Sequence, residues 1–371
     1  MRFPEFTKEW EEHALAEYLD FKNGLNPDVK RIGRGLPFIS VMDILADGTI
    51  NYDSIRGKVE ATEREIENFS VEKGDILFQR SSETLEDVGR ANVYMDNRTA
   101  VYGGFVIRGR KIGDYNPLFF KYLLSTPLAR KRTCRMGAGA QHFNIGQDGL
   151  SKISLCFPLM EEQNKIARLL SLIDERIATQ NKIIDKLQSL IKGLRVCCMQ
   201  RNGSNNVYLS EIAQIYQPQT ISSAELTEDG FLVYGANGII GKYKDYNHET
   251  EQICITCRGN TCGMVNYTKP MSWITGNAMV INTDKYQDKV YKKYLYHYLS
   301  AYNFNSIISG SGQPQIVRTP LEKLKITLPT ISEQKQKAMI LDKVQDKIEI
   351  NHNILNLYIL QKQYLLRQMF I

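Results

Sequence analysis

No uninterrupted apolar run in the 371 residues approaches the ~18 to 20 residues that a membrane-spanning helix requires. Residues 1–6 lack the apolar core of a secretory signal. The seven cysteines are an odd number, so they cannot all pair within the chain. These absences predict a globular protein of the reducing cytoplasm that has no membrane partner.

Motifs of catalysis are also missing. There is no Asn-Pro-Pro-aromatic tetrapeptide of a modification enzyme, because neither Asn26-Pro27 nor Asn116-Pro117 is followed by a second proline. No glycine-rich loop ends in Gly-Lys-Ser or Gly-Lys-Thr, which excludes a P-loop for ATP. We therefore predict a protein that is not an enzyme and binds no cofactor.

A zinc site is the one metal alternative that the cysteines suggest. Cys254, Cys257 and Cys262 lie close together in sequence, with His248 as a conceivable fourth ligand. Cys254 and Cys257 are three residues apart in a strand-like run, so their side chains would project to opposite faces. We predict reduced core thiols and no metal.

The net charge of +6, from 47 basic and 41 acidic residues, permits a polyanionic partner without requiring one. Residues 161–201 hold eight basic and five acidic side chains, and residues 332–371 hold six and four. These two segments account for +3 and +2, so only +1 remains for the rest of the chain. The rest of the chain is therefore not strongly basic.

The chain repeats itself, best at an offset of 171 residues. Identities at that offset include Pro158 with Pro329, Glu162 with Glu333, Gln163 with Gln334, Ala167 with Ala338, Ile177 with Ile348, and Leu194 with Leu365. Upstream the offset drifts, because residues 15–17 resemble 209–211 at 194, and residues 76–80 resemble 254–258 at 178. Each half is a variable segment followed by a better preserved one.

The preserved segments predict two long helices. Apolar residues in 161–200 and 332–371 recur in alternating steps of three and four, which is a heptad seam of about four repeats. Each helix could pack on its own globular neighbour, but so long a seam favours pairing of the two helices. A parallel second helix would require the chain between them to return ~60 Å. We therefore predict antiparallel pairing.

Two polar residues interrupt the seams at equivalent positions. Gln180 and Asn351 lie near the midpoints of the predicted helices. A buried amide satisfies its hydrogen bonds better against another amide than against an apolar neighbour, and one such layer fixes register. We predict that Gln180 and Asn351 face each other across the helix pair.

The variable segments read as mixed domains of short strands and a few helices. Phe38–Ile44, Val101–Ile107 and Asn277–Ile281 are among the apolar and β-branched runs that predict strands. The polar run at 202–206 predicts a linker. The predicted organisation is a mixed domain at 1–152, a long helix segment at 153–201, the linker at 202–206, a second mixed domain at 207–324 and a second long helix segment at 325–371.

This order of features resembles the specificity subunit of type I restriction-modification systems over the whole chain. Each half has a divergent domain that ends in a Gly-Gln loop, then a proline, Glu-Gln and a long heptad helix. The segments that carry the resemblance are Tyr-Gly-Ala-Asn-Gly-Ile-Ile-Gly at 234–241, Arg-Gly-Asn at 258–260, Trp-Ile-Thr-Gly-Asn-Ala at 273–278, and Gly-Asp-Ile-Leu-Phe-Gln-Arg-Ser-Ser at 74–82 followed by Gly89.

The resemblance implies an α+β fold with two target-recognition domains, joined by two long antiparallel coiled-coil helices with pseudo-two-fold symmetry. It implies that each domain reads one half of a bipartite, asymmetric target in double-stranded DNA. The implied partners are two methyltransferase subunits, which methylate adenine, and restriction subunits that act as ATP-dependent translocase and nuclease. Two alternatives stay open: the recognition part of a fused methyltransferase-nuclease, and a helical scaffold that binds no DNA.

The residue types suggest where DNA would be contacted. The stretch 121–147 contains five cations and no acidic residue before Asp148, which suits phosphates, although a solvated helix face would look the same. Arginine and amide side chains make bidentate contacts to guanine and adenine edges, although Arg80 and Arg258 could instead stabilise their own loops. The predicted DNA-contacting residues are Gln79, Arg80, Ser81, Arg130, Lys131, Arg132, Arg135, Gln141, His142, Asn237, Arg258, Asn260, Gln313 and Gln315.

Overall fold

The computed structural model of the chain describes residues 2–199, 205–236, 238–310 and 312–370. The chain divides into two compact units, Met1–Asn181 with Ile354–Ile371, and Lys182–Asn353. Each unit contains part of both long helices, Met160–Met199 and Ile331–Gln368. Among the described residues, no helix is both long enough and apolar enough to cross a membrane.

The first unit combines short strands with helices. Its strands are β1 (Glu11–Ala14), β2 (Leu19–Asn23), β3 (Ile32–Ile39), β4 (Lys58–Val59), β5 (Ser70–Val71), β6 (Ile76–Gln79), β7 (Ser81–Ser82), β8 (Ala91–Val93), β9 (Ala100–Tyr102), β10 (Val106–Lys111), β11 (Phe143–Asn144) and β12 (Ser154–Phe157). Its helices are α1 (Val41–Leu45), α2 (Glu63–Phe69), α3 (Pro117–Ser125), α4 (Pro127–Cys134), α5 (Gln147–Ser151) and the first part of α6 (Met160–Met199). The central sheet has the order β2-β10-β6-β8, and a second sheet has the order β4-β3-β9-β5.

The second unit repeats this plan with fewer elements. Its strands are β13 (Asn205–Tyr208), β14 (Gln214–Tyr216), β15 (Phe231–Gly235), β16 (Gly238–Tyr243), β17 (Ile253–Thr256), β18 (Val265–Tyr267), β19 (Trp273–Ile274), β20 (Ala278–Asn282) and β21 (Lys325–Leu328). Its helices are α7 (Lys292–Ala301), α8 (Arg318–Glu322) and α9 (Ile331–Gln368), together with the end of α6. The central sheet has the order β14-β20-β17-β18, and β16-β15-β19 form a smaller sheet. The described residues 205 and 206 of the predicted linker begin β13, and residues 202–204 lie outside the described residues.

The two central sheets share one topology, so the repeat in the sequence is a repeat in structure. In both, all neighbouring strands are antiparallel, and the strand order follows the same crossover. Gln79 pairs with Val106, and Thr256 pairs with Ala278. Gln79 therefore corresponds to Thr256, an offset of 177, and the predicted offset of 178 for this strand is wrong by one residue. A slip of one residue exchanges the two faces of a strand.

The preserved glutamines explain how each long helix joins its domain. The buried Gln163 side chain accepts from Asn116 N at 3.0 Å, at the start of α3, and donates to Pro158 O at 3.0 Å. Gln334 accepts from Tyr291 N at 2.8 Å, at the start of α7, and donates to Pro329 O at 2.9 Å. The same amide thus joins a proline turn to a short helix in both units, which accounts for its identity in the two copies.

The long helices run antiparallel in each unit. In the first unit Asp174 pairs with Lys362 at 2.6 Å, and the Arg176 guanidinium lies 5.8 Å from the Tyr358 ring. In the second unit Arg195 donates to Gln345 at 3.5 Å, and Lys337 donates to the carbonyl of Cys198 at 2.9 Å. Residue numbers rise along α6 as they fall along α9, so the predicted direction is confirmed.

The apolar residues of the long helices make both kinds of contact considered from the sequence, with a domain core and with the other helix. In the first unit Ile166 and Ala167 pack in the domain core, whereas Leu170 and Ile173 share that core with Leu365 from α9, as Met369 also does. In the second unit Ala338 packs in the domain core, and a separate cluster is formed by the helix residues Ile191, Leu341 and Ile348, with Leu187, Leu194, Cys198 and Val344 against them. Each helix therefore begins on its own domain and continues against the other helix.

Two predicted strands are shorter in the structure. The run Phe38–Ile44 ends as a strand at Ile39, because Ser40 starts α1 and its N–H donates to the Asp43 carboxylate at 2.7 Å. The run Val101–Ile107 is broken into β9 and β10 by a turn over residues 103–105. The predicted strand Asn277–Ile281 corresponds to β20, and the predicted fold class, α+β with paired long helices, is confirmed.

The pairing of Gln180 with Asn351 stays a prediction. The Gln180 side chain is 7% exposed, and Asn351, half-buried, donates to Lys347 O at 2.6 Å within its own helix. Replacing both with Leu is expected to raise the melting temperature, because the buried amide of Gln180 and the half-buried amide of Asn351 become apolar contacts, while the register loosens. Thermal unfolding checks the first effect, and cysteine cross-linking along the helices checks the second. Gln188→Leu, at an exposed position of α6, is the control, and a lower melting temperature of the double variant would contradict the idea.

Candidate nucleic-acid interface

Three segments of the first unit meet where β6 ends. The backbone N–H of Arg80 donates to Phe105 O at 2.9 Å, and Arg80 O accepts from Ile145 N at 3.0 Å. The chain just before Ile145 forms a hairpin in which Ala138 and Asn144 exchange backbone hydrogen bonds of 2.9 Å. We call residues 79–82, 103–105 and 138–145 the first loop junction.

The second unit contains the same arrangement where β17 ends. The N–H of Cys257 donates to Asn277 O at 3.0 Å, and Cys257 O accepts from Ile316 N at 3.0 Å. Ser309 and Gln315 exchange backbone hydrogen bonds of 2.8 Å in the matching hairpin. We call residues 256–260, 275–277, 309–310 and 312–316 the second loop junction. The structure therefore brings together residues that were predicted from distant parts of the sequence.

Residues 79–81, at the end of β6 in the first loop junction, form side-chain hydrogen bonds within their own unit. Gln79 is 5% exposed and donates to Ser81 O at 2.9 Å, but its Oε1 has no hydrogen-bond partner in the described part of the chain. Ser81 donates to the Asn144 side chain, and Arg80, half-buried, donates to Gly104 O at 3.3 Å. A buried acceptor without a donor is costly, so Gln79 Oε1 is suited to receive a donor from water or a ligand.

The hairpin of the first loop junction presents its polar residues to solvent. Gln141 and His142 are exposed at its tip. Gly139 has a φ of +143°, and a Cβ there would overlap the carbonyl of His142. Only glycine fits this backbone, which explains why a glycine precedes the glutamine in the sequence.

In the second loop junction the predicted residues lie side by side. Arg258 forms an isolated bridge with Gln315, and it is exposed, as are Asn260 and Gln313. With Gln217 and Arg318, Arg258 and Gln315 line a cavity of about 370 Å³. Asn237 lies outside the described residues.

The cations of α4 divide into two groups. Arg130 is half-buried and donates to Glu86 O at 2.9 Å and Val88 O at 2.6 Å, and Arg132 is paired with Glu12 at 2.7 Å. Burial lowers the pKa of Arg130. Lys131 and Arg135 are exposed and form no ion pair with the residues that the structure describes. These two side chains remain available for phosphates.

The side chains of Cys254 and Cys257 project to opposite faces, as their spacing predicted. Cys254 and Cys257 are buried in different hydrophobic clusters, so their side chains lie on opposite faces of the sheet. Burial raises the pKa of the Cys254 thiol to about 12 and also raises that of Cys257. His248 interacts with the Tyr216 hydroxyl at 2.8 Å. Within the described ranges no three such side chains are grouped to hold a metal ion.

Each unit has the same α+β design, with a loop junction at the end of its central sheet and a share of two long helices. These features define a class of duplicated α+β protein. The model of the type I restriction modification DNA specificity domain matches residues 7–189 and again 202–357. The chain belongs to this family and carries the domain twice, which confirms the resemblance predicted from the sequence.

Individual relatives agree with this assignment. The type I restriction enzyme EcoprrI specificity subunit of Escherichia coli is 32% identical over 140 residues, which is 36% of this chain and 34% of that subunit. This chain therefore matches only about a third of that relative's length. The MjaVIII specificity subunit of Methanocaldococcus jannaschii is 25% identical over 94% of this chain and 88% of its own length.

A solved structure shares the fold. The type I restriction-modification S subunit from M. genitalium superposes with a TM-score of 0.68 at 16% identity, over 100% of this chain and 97% of that chain. At this identity the likeness concerns the fold alone. It agrees with the duplicated α+β architecture described above.

Proposed function

We propose that this chain is the DNA sequence-recognition subunit of a cytoplasmic type I restriction-modification complex. Each mixed domain, 1–152 and 207–324, reads one half of a bipartite, asymmetric target in double-stranded DNA. The observation that carries the proposal is the loop junction, which occurs at the same place in both units and contains predicted DNA-contacting residues from separate segments of the chain.

The two loop junctions differ in their chemistry, which supports an asymmetric target. The first exposes Gln141 and His142 on its hairpin, whereas the second exposes Arg258 next to the amide residue Gln315. Arginine prefers the O6 and N7 edge of guanine, and amides suit adenine. Two loop junctions with different side chains should select different bases, so the two half-sites should differ in sequence.

The chain itself is proposed to be without catalysis. It scaffolds two methyltransferase subunits that methylate adenine, and restriction subunits that translocate and cleave DNA with ATP. The long helices join the two readers and set the length of the unread gap between the half-sites. Lys131 and Arg135 contribute phosphate contacts, which position the chain without reading bases.

Arg258→Ala tests the proposal. The variant is expected to relax the preference at one position of one half-site by a factor of about 5 to 150 and to spare the other half-site, because one bidentate arginine contact is worth ~1–3 kcal/mol. The measurement is selection of bound duplexes from a random pool by the complex with its methyltransferase partner.

Lys285→Ala is the matched control, because it removes an exposed charge of the same sign from the same unit outside the second loop junction. It should leave both half-sites unchanged. If Arg258→Ala weakened binding equally to every sequence, Arg258 would be a phosphate contact and its role as a base reader would be refuted.

A further inference from the structure

The third segment of each loop junction was not predicted as a DNA contact. In the first unit it is the turn between β9 and β10, and in the second it is the stretch between β19 and β20. The last residue of this segment is Phe105 in the first unit and Asn277 in the second. Phe105 O accepts from Arg80 N, just after β6, at 2.9 Å, and Asn277 O accepts from Cys257 N, just after β17, at 3.0 Å. Phe105 and Asn277 therefore occupy equivalent positions in the two units.

In each unit the third segment contains a glycine that lies close to another segment of the chain. A Cβ on Gly276 would lie 2.9 Å from Pro218 O, and a Cβ on Gly104 would overlap the Asn26 side chain. At Gly276 this is a close approach that only glycine allows, because Pro218 O belongs to the backbone and cannot rotate away as a side chain can. The residue after each glycine is held at the surface, and both Phe105 and Asn277 are exposed.

The surroundings of Phe105 are apolar. Its side chain is 68% exposed, that of Met42 is 76% exposed, and Ile32 is also exposed. Together with Pro27 and Phe38 they line a cavity of about 390 Å³. A contiguous exposed apolar patch on a globular unit usually marks a binding surface.

The patch is continuous with the candidate DNA interface. Arg80 donates to Phe105 O through its N–H and to Gly104 O through its guanidinium, and it joins the turn to the hairpin that carries Gln141. The second unit has a different cavity beside its loop junction, which Gln217, Arg258 and Gln315 border. The last residue of the third segment is therefore apolar, Phe105, in one unit and polar, Asn277, in the other.

We propose that Phe105 and Asn277 are specificity-determining residues for the two half-sites. Phe105, with Met42 and Ile32, contacts the C5-methyl group of a thymine in the half-site of the first unit. Asn277 forms bidentate hydrogen bonds with an adenine in the half-site of the second unit. The inference rests on the proposed function, because it assumes that the loop junctions face DNA.

The test uses the complete chain in complex with its methyltransferase partner and duplexes that carry the methylated motif. Each thymine of one half-site at a time is replaced by deoxyuridine, which removes only the C5-methyl group, and the dissociation constant is measured. In the half-site that Arg258→Ala spares, one replacement is expected to weaken binding about fourfold, as for loss of one buried methylene-sized group.

Variants of the chain test which side chains cause the weaker binding to the deoxyuridine duplex. Phe105→Ala should weaken binding to the thymine duplex and abolish the effect of deoxyuridine, whereas Phe105→Leu should retain part of it. Val29→Ala, at an exposed apolar residue outside the cavity, should change neither. Asn277→Ala should keep the deoxyuridine effect and lose about tenfold in preference for one adenine of the other half-site.

Several results would overturn the inference. They are a half-site without thymine on either strand, a wild-type complex that tolerates deoxyuridine at every thymine of that half-site, retained sensitivity in Phe105→Ala, or unchanged selectivity in Asn277→Ala. Specific binding by the wild-type complex combined with any of these refutes the roles of Phe105 and Asn277 alone. A complex that selects no sequence at all refutes the proposed function instead.

Discussion

Insertion of one heptad into each long helix is expected to lengthen the unread gap of the DNA target by about three base pairs. Seven residues add ~10.5 Å at 1.5 Å per residue, and base pairs rise ~3.4 Å along the duplex. The helices run antiparallel within each unit, and a whole heptad keeps the apolar seam in phase. The insertions belong where the units divide, after Asn181 and after Asn353. Both half-sites should keep their sequences.

Sequencing of the methylated motif measures this result. The control is the same heptad inserted after Glu228, in an exposed turn of the second unit, which should leave the gap unchanged. A lengthened chain that methylates the original motif would show that the helices do not set the gap. A changed half-site would show that the insertion had disturbed a reader.

The isolated chain is expected to bind DNA weakly, with dissociation constants typical of non-specific binding, ~10⁻⁴ to 10⁻⁶ M at physiological salt. Binding of two methyltransferase subunits should improve the affinity to ~10⁻⁸ M or better. Of the net charge of +6, only +1 lies outside residues 161–201 and 332–371. The structure reduces the available charge further, because Arg132 and Lys292 are paired with carboxylates and Arg130 with carbonyls. Few phosphate contacts are left.

The slope of log affinity against log salt measures this directly. It should be shallow for the isolated chain and steeper for the complex, and Lys131→Ala or Arg135→Ala should each reduce the slope in the complex by about 1. Lys73→Ala, at an exposed position outside the first loop junction, is the control and should leave the slope unchanged. Tight, sequence-specific binding by the purified chain alone would contradict this account.

The duplication and the two long helices can be predicted from the sequence, because they depend on periodic and repeated patterns. The 171-residue repeat places Gln163 and Gln334 at the same joint, the heptad seams predict both long helices, and the connection between the helices predicts their direction. Such patterns extend over many residues, so single exceptions do not obscure them. The match between the four-residue strands β6 and β17 rests on only a few residues. The arginines at 80 and 258 suggested an offset that is wrong by one residue.

The loop junctions were only partly predictable. The strand-end residues and the Gly-Gln hairpins carry local signals, but the turn at 103–105 lies in an apolar run that resembles a continuous strand. The signal that was available is the glycine before each tip residue, Gly104 and Gly276. Its meaning appears only when Asn26 or Pro218 is seen against it, and these contacts join segments far apart in the chain.

The partners of the cations could not be read from the sequence either. Arg130 belongs to a run that looks like a phosphate-binding surface, yet its guanidinium binds carbonyls more than 40 residues away. Lys121, in the same run, donates to Gly48 O, and burial lowers its pKa to about 8. Such contacts depend on the tertiary fold, so composition alone overstates how many cations remain for DNA.

The most direct measurement of the central claim is the methylated motif of DNA from cells that express this chain together with its methyltransferase partner, compared with cells that lack the chain. We expect one motif, present only when the chain is expressed, with two half-sites of different sequence separated by a gap in which any base is accepted. A continuous motif, a perfect palindrome, or a motif that persists without the chain would contradict the account.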